Sequence, residues 1–189
     1  TLFARRVQLE TGTTATSYIP TEGSTVTRTA DSVTLTDLDA LGLTSAVLAA
    51  GYTVVVEADH SGRTNFPAVW SLNDGTSSEE LYLTSSLNGG DTAYVYGRGS
   101  GANVDLNMGD GSWPAGQVAK VAVRVKNNDF GASIGGGAVA KDAAGAVAAF
   151  SQLSLGVRAV GLPYINGYLR RLTIIPRAVS DAELQALSS

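Results

Sequence analysis

The chain has 189 residues, 44% apolar and 16% charged, and 13 Lys+Arg against 17 Asp+Glu leave a net charge of −4. That length suits one domain with or without a tail, and the apolar content excludes general disorder. Mild acidity argues against nucleic acid as a partner, because phosphate binding needs clustered cations. The absence of cysteine excludes disulfides, thiolate zinc sites and cysteine nucleophiles. No apolar run approaches the roughly 18–20 residues of a membrane span, so no membrane insertion is expected.

In chain order, Thr1–Ala30 comes first, rich in Thr and Ser and without apolar alternation. It reads as a connector or the end of a preceding module, with the main domain at 31–189. Arg5-Arg6 precede Val7-Gln8-Leu9-Glu10, which is not the core of a signal peptide. From Ser32 onward the composition is β-rich. Strands are predicted at Ser32–Thr36, Tyr52–Asp59, Ala68–Leu72, Leu81–Thr84, Thr92–Gly97 and Asn103–Asn107. Further strands follow at Ala119–Lys126, Phe130–Ile134, Ser151–Leu155 and Gly167–Ile175. Turn signals punctuate them: Asn73-Asp74-Gly75, Asn127-Asn128-Asp129 and Gly135-Gly136-Gly137, whose residues tolerate positive φ. One helix is well specified. Ser180-Asp181-Ala182-Glu183 is a capping box, and Leu184 and Leu187 share a face for docking. A weaker helical turn is expected at Thr44–Ala50. Many short strands without βαβ alternation predict an all-β sandwich or jelly roll.

Two stretches carry a family resemblance. Gln8-Leu9-Glu10, Thr14-Ala15-Thr16-Ser17-Tyr18-Ile19-Pro20-Thr21 and Thr25-Val26-Thr27-Arg28 resemble a string found in tail and receptor-binding proteins of phages and prophages. There it precedes a concanavalin A-like, laminin-G-like module. Val118–Val123, Asp129–Gly136, Leu153–Gly156 and the run from Asn166 to Leu184 are similar to that module's own later strands and its closing helix. The resemblance implies a concanavalin A-like jelly-roll sandwich of two antiparallel sheets with a short C-terminal helix. It also implies that the first and last strands pair, placing Ser32–Thr36 near Gly167–Ile175.

Candidate chemistry is sparse. Glu57 and Asp59 alternate on one strand, about 6.6–6.8 Å apart at Cα, a spacing compatible with a glycosidase pair. Concanavalin A-like glucanases carry Glu-x-Asp-x-x-Glu, and here the third position is Gly62, so no catalytic residue is assigned. His60 is the sole histidine, which leaves no zinc set, and it is expected in a loop or on the surface. Gly97-Arg98-Gly99-Ser100-Gly101 lacks the following helix that a phosphate loop needs.

Sugar rings stack on aromatic faces while their hydroxyls seek polar partners. Tyr94 and Tyr96 share a strand face by period two, near Arg98 and Asn103, and Trp113 lies a little further on. These five are the candidate ligand contacts, with core packing as the alternative for Trp113. Calcium is the one cofactor the sequence leaves open: Asp105, Asn107 and Asp110 place oxygen ligands at alternating positions among glycines. Arg170 and Arg171 should point in opposite directions, one to solvent and one towards a carboxylate.

The expected function is a non-catalytic carbohydrate-binding or adhesion module of a phage particle, acting extracellularly on a bacterial surface polysaccharide. Other virion proteins and further copies of the chain are the expected additional partners. The alternatives are a decoration module without a sugar site and, behind it, a glycan hydrolase.

Overall fold

The computed structural model describes residues 20, 23–24, 33–61, 66–86, 90–99, 101–146, 150–159 and 164–189. The chain divides into two units, 1–31 and 32–189, and the account below concerns the second. Apart from residues 20 and 23–24, the expected connector, together with Gly62 and Ser100, falls outside the described residues.

Among the described residues, eleven strands and two helices build this unit. The strands are β1 (Val33–Leu35), β2 (Tyr52–Ala58), β3 (Ala68–Asn73), β4 (Glu80–Thr84), β5 (Tyr94–Arg98) and β6 (Val104–Asn107), then β7 (Ala119–Val125), β8 (Phe130–Ile134), β9 (Ala140–Asp142), β10 (Gln152–Leu155) and β11 (Leu169–Ile175). The helices are α1 (Ser45–Ala50) and α2 (Asp181–Ser188), and a single 3₁₀ turn covers Asp39–Leu41. A six-stranded sheet has the order β1-β10-β3-β4-β5-β6, and a five-stranded sheet has the order β11-β2-β7-β8-β9. All ladders are antiparallel. The expected sandwich of two antiparallel sheets with a short C-terminal helix is therefore present.

Period-two alternation explains why the sheets face each other. Leu81, Leu83, Val95, Val104 and Leu106 point inward from one sheet, and Val54, Val56, Val121 and Val123 point inward from the other. Trp70 and Phe130 fill the space between them, fully buried. Each such side chain contributes about 2 kcal/mol through removal from water.

Strand pairing departs from expectation. The first and last strands do not pair: β1 lies against β10, Val33 opposite Leu155, while β11 lies against β2 in the other sheet. Strand β9 was not expected, because Ala-Lys-Asp carries no apolar alternation. It exists because β8 offers it a partner, Phe130 opposite Asp142. Thr44 caps α1 by accepting from the Val47 amide, at the predicted turn.

Helix α2 packs over the outer face of the five-stranded sheet through Leu184, with Val55, Ala122 and Val179. Its capping box forms as the sequence specifies, Ser180 and Glu183 each bonding the other's backbone amide. Arg124, almost wholly buried, locks it down. Its guanidinium reaches Asp181 at 2.8 Å, Asp129 at 2.7 Å and the Val179 carbonyl at 3.0 Å.

Candidate functional site

The outward side chains of β4, β5 and β6 form a lattice set by register. Because Leu81 and Leu83 point to the core, Glu80 and Tyr82 point out, and Tyr94, Tyr96 and Arg98 follow on β5. Cross-strand pairing then aligns Tyr82 with Tyr96 and Asp105, Glu80 with Arg98, and Tyr94 with Asn107. The structure thus brings five of the sequence-predicted residues, Tyr94, Tyr96, Arg98, Asp105 and Asn107, onto one face. Tyr94 and Tyr96 stack nearly parallel, with ring centroids 6.3 Å apart and planes at 14°. Tyr82 lies 6.0 Å from Tyr96.

Sequence reasoning missed the centre of this face. Glu80 is completely buried, yet paired with arginine. Arg158, from the segment after β10, grips it with both Nε and Nη2, the latter at 2.7 Å. The Ala159 amide and the Ser71 hydroxyl also donate to Glu80, at 3.0 and 3.1 Å. The same Arg158 guanidinium covers the Tyr82 ring at 4.3 Å, a cation–π contact. Arg98 stands 3.8 Å from Glu80 on the other side, its side chain 40% exposed. Its Nε is buried with no hydrogen-bond partner. Alternation about Leu81 was a usable signal for placing Glu80 beside Tyr82. Nothing local announces Arg158, 78 residues away along the chain.

The face grades from closed to open. Ser71, Asn73 and Ser154 near its middle are buried, whereas Asn103, Asp105 and Asn107 at the β6 edge are exposed. Burial, and then the neighbouring Asp105 carboxylate, push the Tyr94 hydroxyl well above its ordinary range, so it stays protonated. Burial does the same for Tyr82. Asn103 stands exposed just before β6, at the rim of this lattice.

Trp113 is a correction. It is wholly buried, its ring edge-on to His60 at 5.8 Å and 82°. His60 is buried too, not at the surface, and its Nε2–H donates to the Trp113 carbonyl at 2.9 Å. The Trp113 indole N–H donates to the Gln117 carbonyl, and the Gly116 amide to the His60 carbonyl. This knot closes the sandwich where the chain crosses from β6 to β7. It offers no aromatic face to a ligand.

Two of the predicted calcium residues also accept local hydrogen bonds. The Asn107 side chain accepts from the Gly109 amide at 2.8 Å, and Asp110 accepts from the Thr92 hydroxyl at 3.3 Å. Among the described residues, no three His, Asp or Glu side chains are grouped to hold one metal ion.

On the opposite sheet, Asp59 accepts from Arg170 at 3.0 Å and from the Tyr168 amide at 3.1 Å. A bulge between Leu169 and Arg171 changes the expected alternation. Arg170 therefore pairs with Asp59 while Arg171 joins Glu57 and Lys120 in lining a cleft of about 280 Å³ beside α2.

No family model matches the chain, and no curated protein does. Solved structures do. One is the CBM40 module of the Ruminococcus gnavus IT-sialidase bound to α2,3-sialyllactose, at 16% identity and TM-score 0.59, covering 77% of this chain and 86% of that one. Another is domain 4 of AbnA, a GH43 extracellular arabinanase from Geobacillus stearothermophilus, in complex with arabinotriose, at 18% identity and TM-score 0.58, covering 74% and 67%. The fold is the jelly roll of these carbohydrate-binding modules. A leech intramolecular trans-sialidase shares it at 15% identity and TM-score 0.62, over 84% of this chain and 27% of that protein.

Proposed function

We propose that the chain is a non-catalytic glycan-binding module whose ligand lies on the outer face of the six-stranded sheet and carries a carboxylate. One observation carries this reading. Two guanidinium groups, Arg98 and Arg158, face a single buried carboxylate, Glu80, and Arg98 keeps a buried Nε donor unused. Arg98, its side chain 40% exposed, presents its outer guanidinium N–H groups beside Tyr96, with the Asp105 carboxylate opposite that ring on β6. A sugar ring with a carboxylate would use the Arg98 guanidinium and the Tyr96 ring together, because guanidinium pairs with carboxylate through parallel N–H donors. Solved structures of this fold with sialyllactose, itself an acidic sugar, support the choice of ligand class.

The finer reading follows the sequence resemblance at 8–28. The module belongs to a phage or prophage particle, acts outside the cell on a bacterial surface polysaccharide, and gains avidity from repeated copies. Calcium belongs to the proposal at Asp105, Asn107 and Asp110. Absence of catalysis is supported at Asp59, whose carboxylate is tied to Arg170 and a backbone amide, and at Gly62, which stands where the glucanase motif has its second Glu.

The test displays the domain as a multimer on an array of capsular, O-antigen, peptidoglycan and sialylated glycans, with and without calcium. Selective capture of acidic glycans is expected, and Glu57→Gln should leave it intact. Silence across the array would turn the reading to a decoration module. Binding equal in chelator would strike out calcium.

A further inference from the structure

We infer that the outer face of the five-stranded sheet, beyond α2, is a second saccharide-binding surface, suited to a neutral oligosaccharide. The starting observation is Tyr168. It is 65% exposed, while the other described aromatic rings are buried or half-buried. Its position is fixed by close packing of backbone: a Cβ on Gly167 would collide with the Asp59 carbonyl, and the Asp59 amide donates to the Tyr168 carbonyl at 3.0 Å.

Alternation assigns the face. Leu169 packs into the core, so Tyr168 stands on the opposite side, and Arg170, in the bulge, is drawn there by its pairing with Asp59. Ala58 is buried in the core, so Asp59 and Glu57 stand on that same side. Arg171, Glu57 and Lys120 lie in one row across β11, β2 and β7. The row lines the cleft that ends against α2. From Tyr168 to the cleft's far end the face runs roughly 20 Å, the span of a short oligosaccharide.

Its chemistry differs from that of the other sheet. Donors and acceptors alternate: Arg170 beside Asp59, then Arg171 and Lys120 flanking Glu57. Among the described residues, Glu57 and Arg171 make neither an ion pair nor a hydrogen bond, so both are available to ligand hydroxyls. Most of this charge is matched within the face, three cations to two carboxylates, and Lys120 also donates to the Ser189 carbonyl at 2.9 Å. Sugar hydroxyls both give and accept hydrogen bonds, and an exposed tyrosine supplies the apolar platform for one ring. Val118, 48% exposed, precedes Ala119, which pairs with Ala58, and adds apolar surface at this end of the sheet.

The experiment records amide shifts of the labelled domain titrated with neutral tetrasaccharides: cellotetraose, xylotetraose, chitotetraose and arabinotetraose. At least one should give saturable shifts at Tyr168, Asp59 and Arg170, little altered by salt. Tyr168→Ala should weaken it tenfold or more, whereas Arg98→Ala should leave it unchanged, which separates this surface from the proposed acidic-glycan face. The inference is overturned if no tetrasaccharide shifts these amides saturably. It is equally overturned if Tyr168→Ala leaves the affinity unchanged.

Discussion

Glu80 is a carboxylate held at zero exposure by Arg158, Ser71 and the Ala159 amide, with Arg98 nearby. Removing Arg158 would strand a buried charge, so Arg158→Ala should cost about 3 kcal/mol, read as a large drop in melting temperature. A small drop would mean that Arg98 or water takes over the charge. Arg98→Ala and Tyr96→Ala should behave in the opposite way. Both are partly exposed, so melting should hardly move, while affinity for an acidic glycan falls about tenfold, or ~1.4 kcal/mol. Unchanged affinity in both variants would place the ligand elsewhere. At this scale the sequence was legible where period two applies: Tyr94, Tyr96 and Arg98 sit on one strand and one face. For Trp113 the sequence left ligand contact and core packing open, since a loop residue's burial is decided by His60 and Gln117, which the strand pattern does not reach.

Helix α2 could be read from its capping box alone, but its anchor could not. Arg124 lies on a strand whose neighbours are apolar, and only the docked helix explains its burial against Asp181. Ser180→Ala should cost about 1 kcal/mol through the lost cap, seen in chemical denaturation. The helix also carries the clearest acid sensitivity. The Arg177 guanidinium, with the Ser180 amide, lowers the Glu183 carboxyl from 4.5 to about 2, and Lys141 with Arg124 lowers Asp181. Carboxyls depressed in the folded state stabilise it above their unfolded pKa and lose that contribution as pH falls through the folded value. Melting temperature should therefore hold steady from neutral pH down to about 5 and decline between 4.5 and 2. Arg177→Ala should shallow that decline, and an identical profile in the variant would remove Glu183 from the explanation. Strand existence was equally legible, while pairing was not. Nothing within Val33–Leu35 states that its partner is Leu155 rather than β11, because register depends on which distant edge is open.

Across the whole molecule, the two sheets present faces of different character around one core. The six-stranded sheet offers stacked tyrosines and a partly exposed guanidinium, and the five-stranded sheet an exposed tyrosine among interleaved cations and carboxylates. Composition and turn spacing made the sandwich readable, since alternation is a local property of each strand. The site was only half readable, because Glu80 and Arg158 meet through tertiary structure. The decisive measurement is a titration of the labelled domain with 3′-sialyllactose and, in parallel, with lactose, following the amides of β4, β5 and β6. The account expects saturable shifts centred on Tyr96 and Arg98 with the acidic sugar, at least tenfold stronger than with lactose and abolished in Arg98→Ala. Equal response to both sugars, or shifts confined to other parts of the fold, would contradict it.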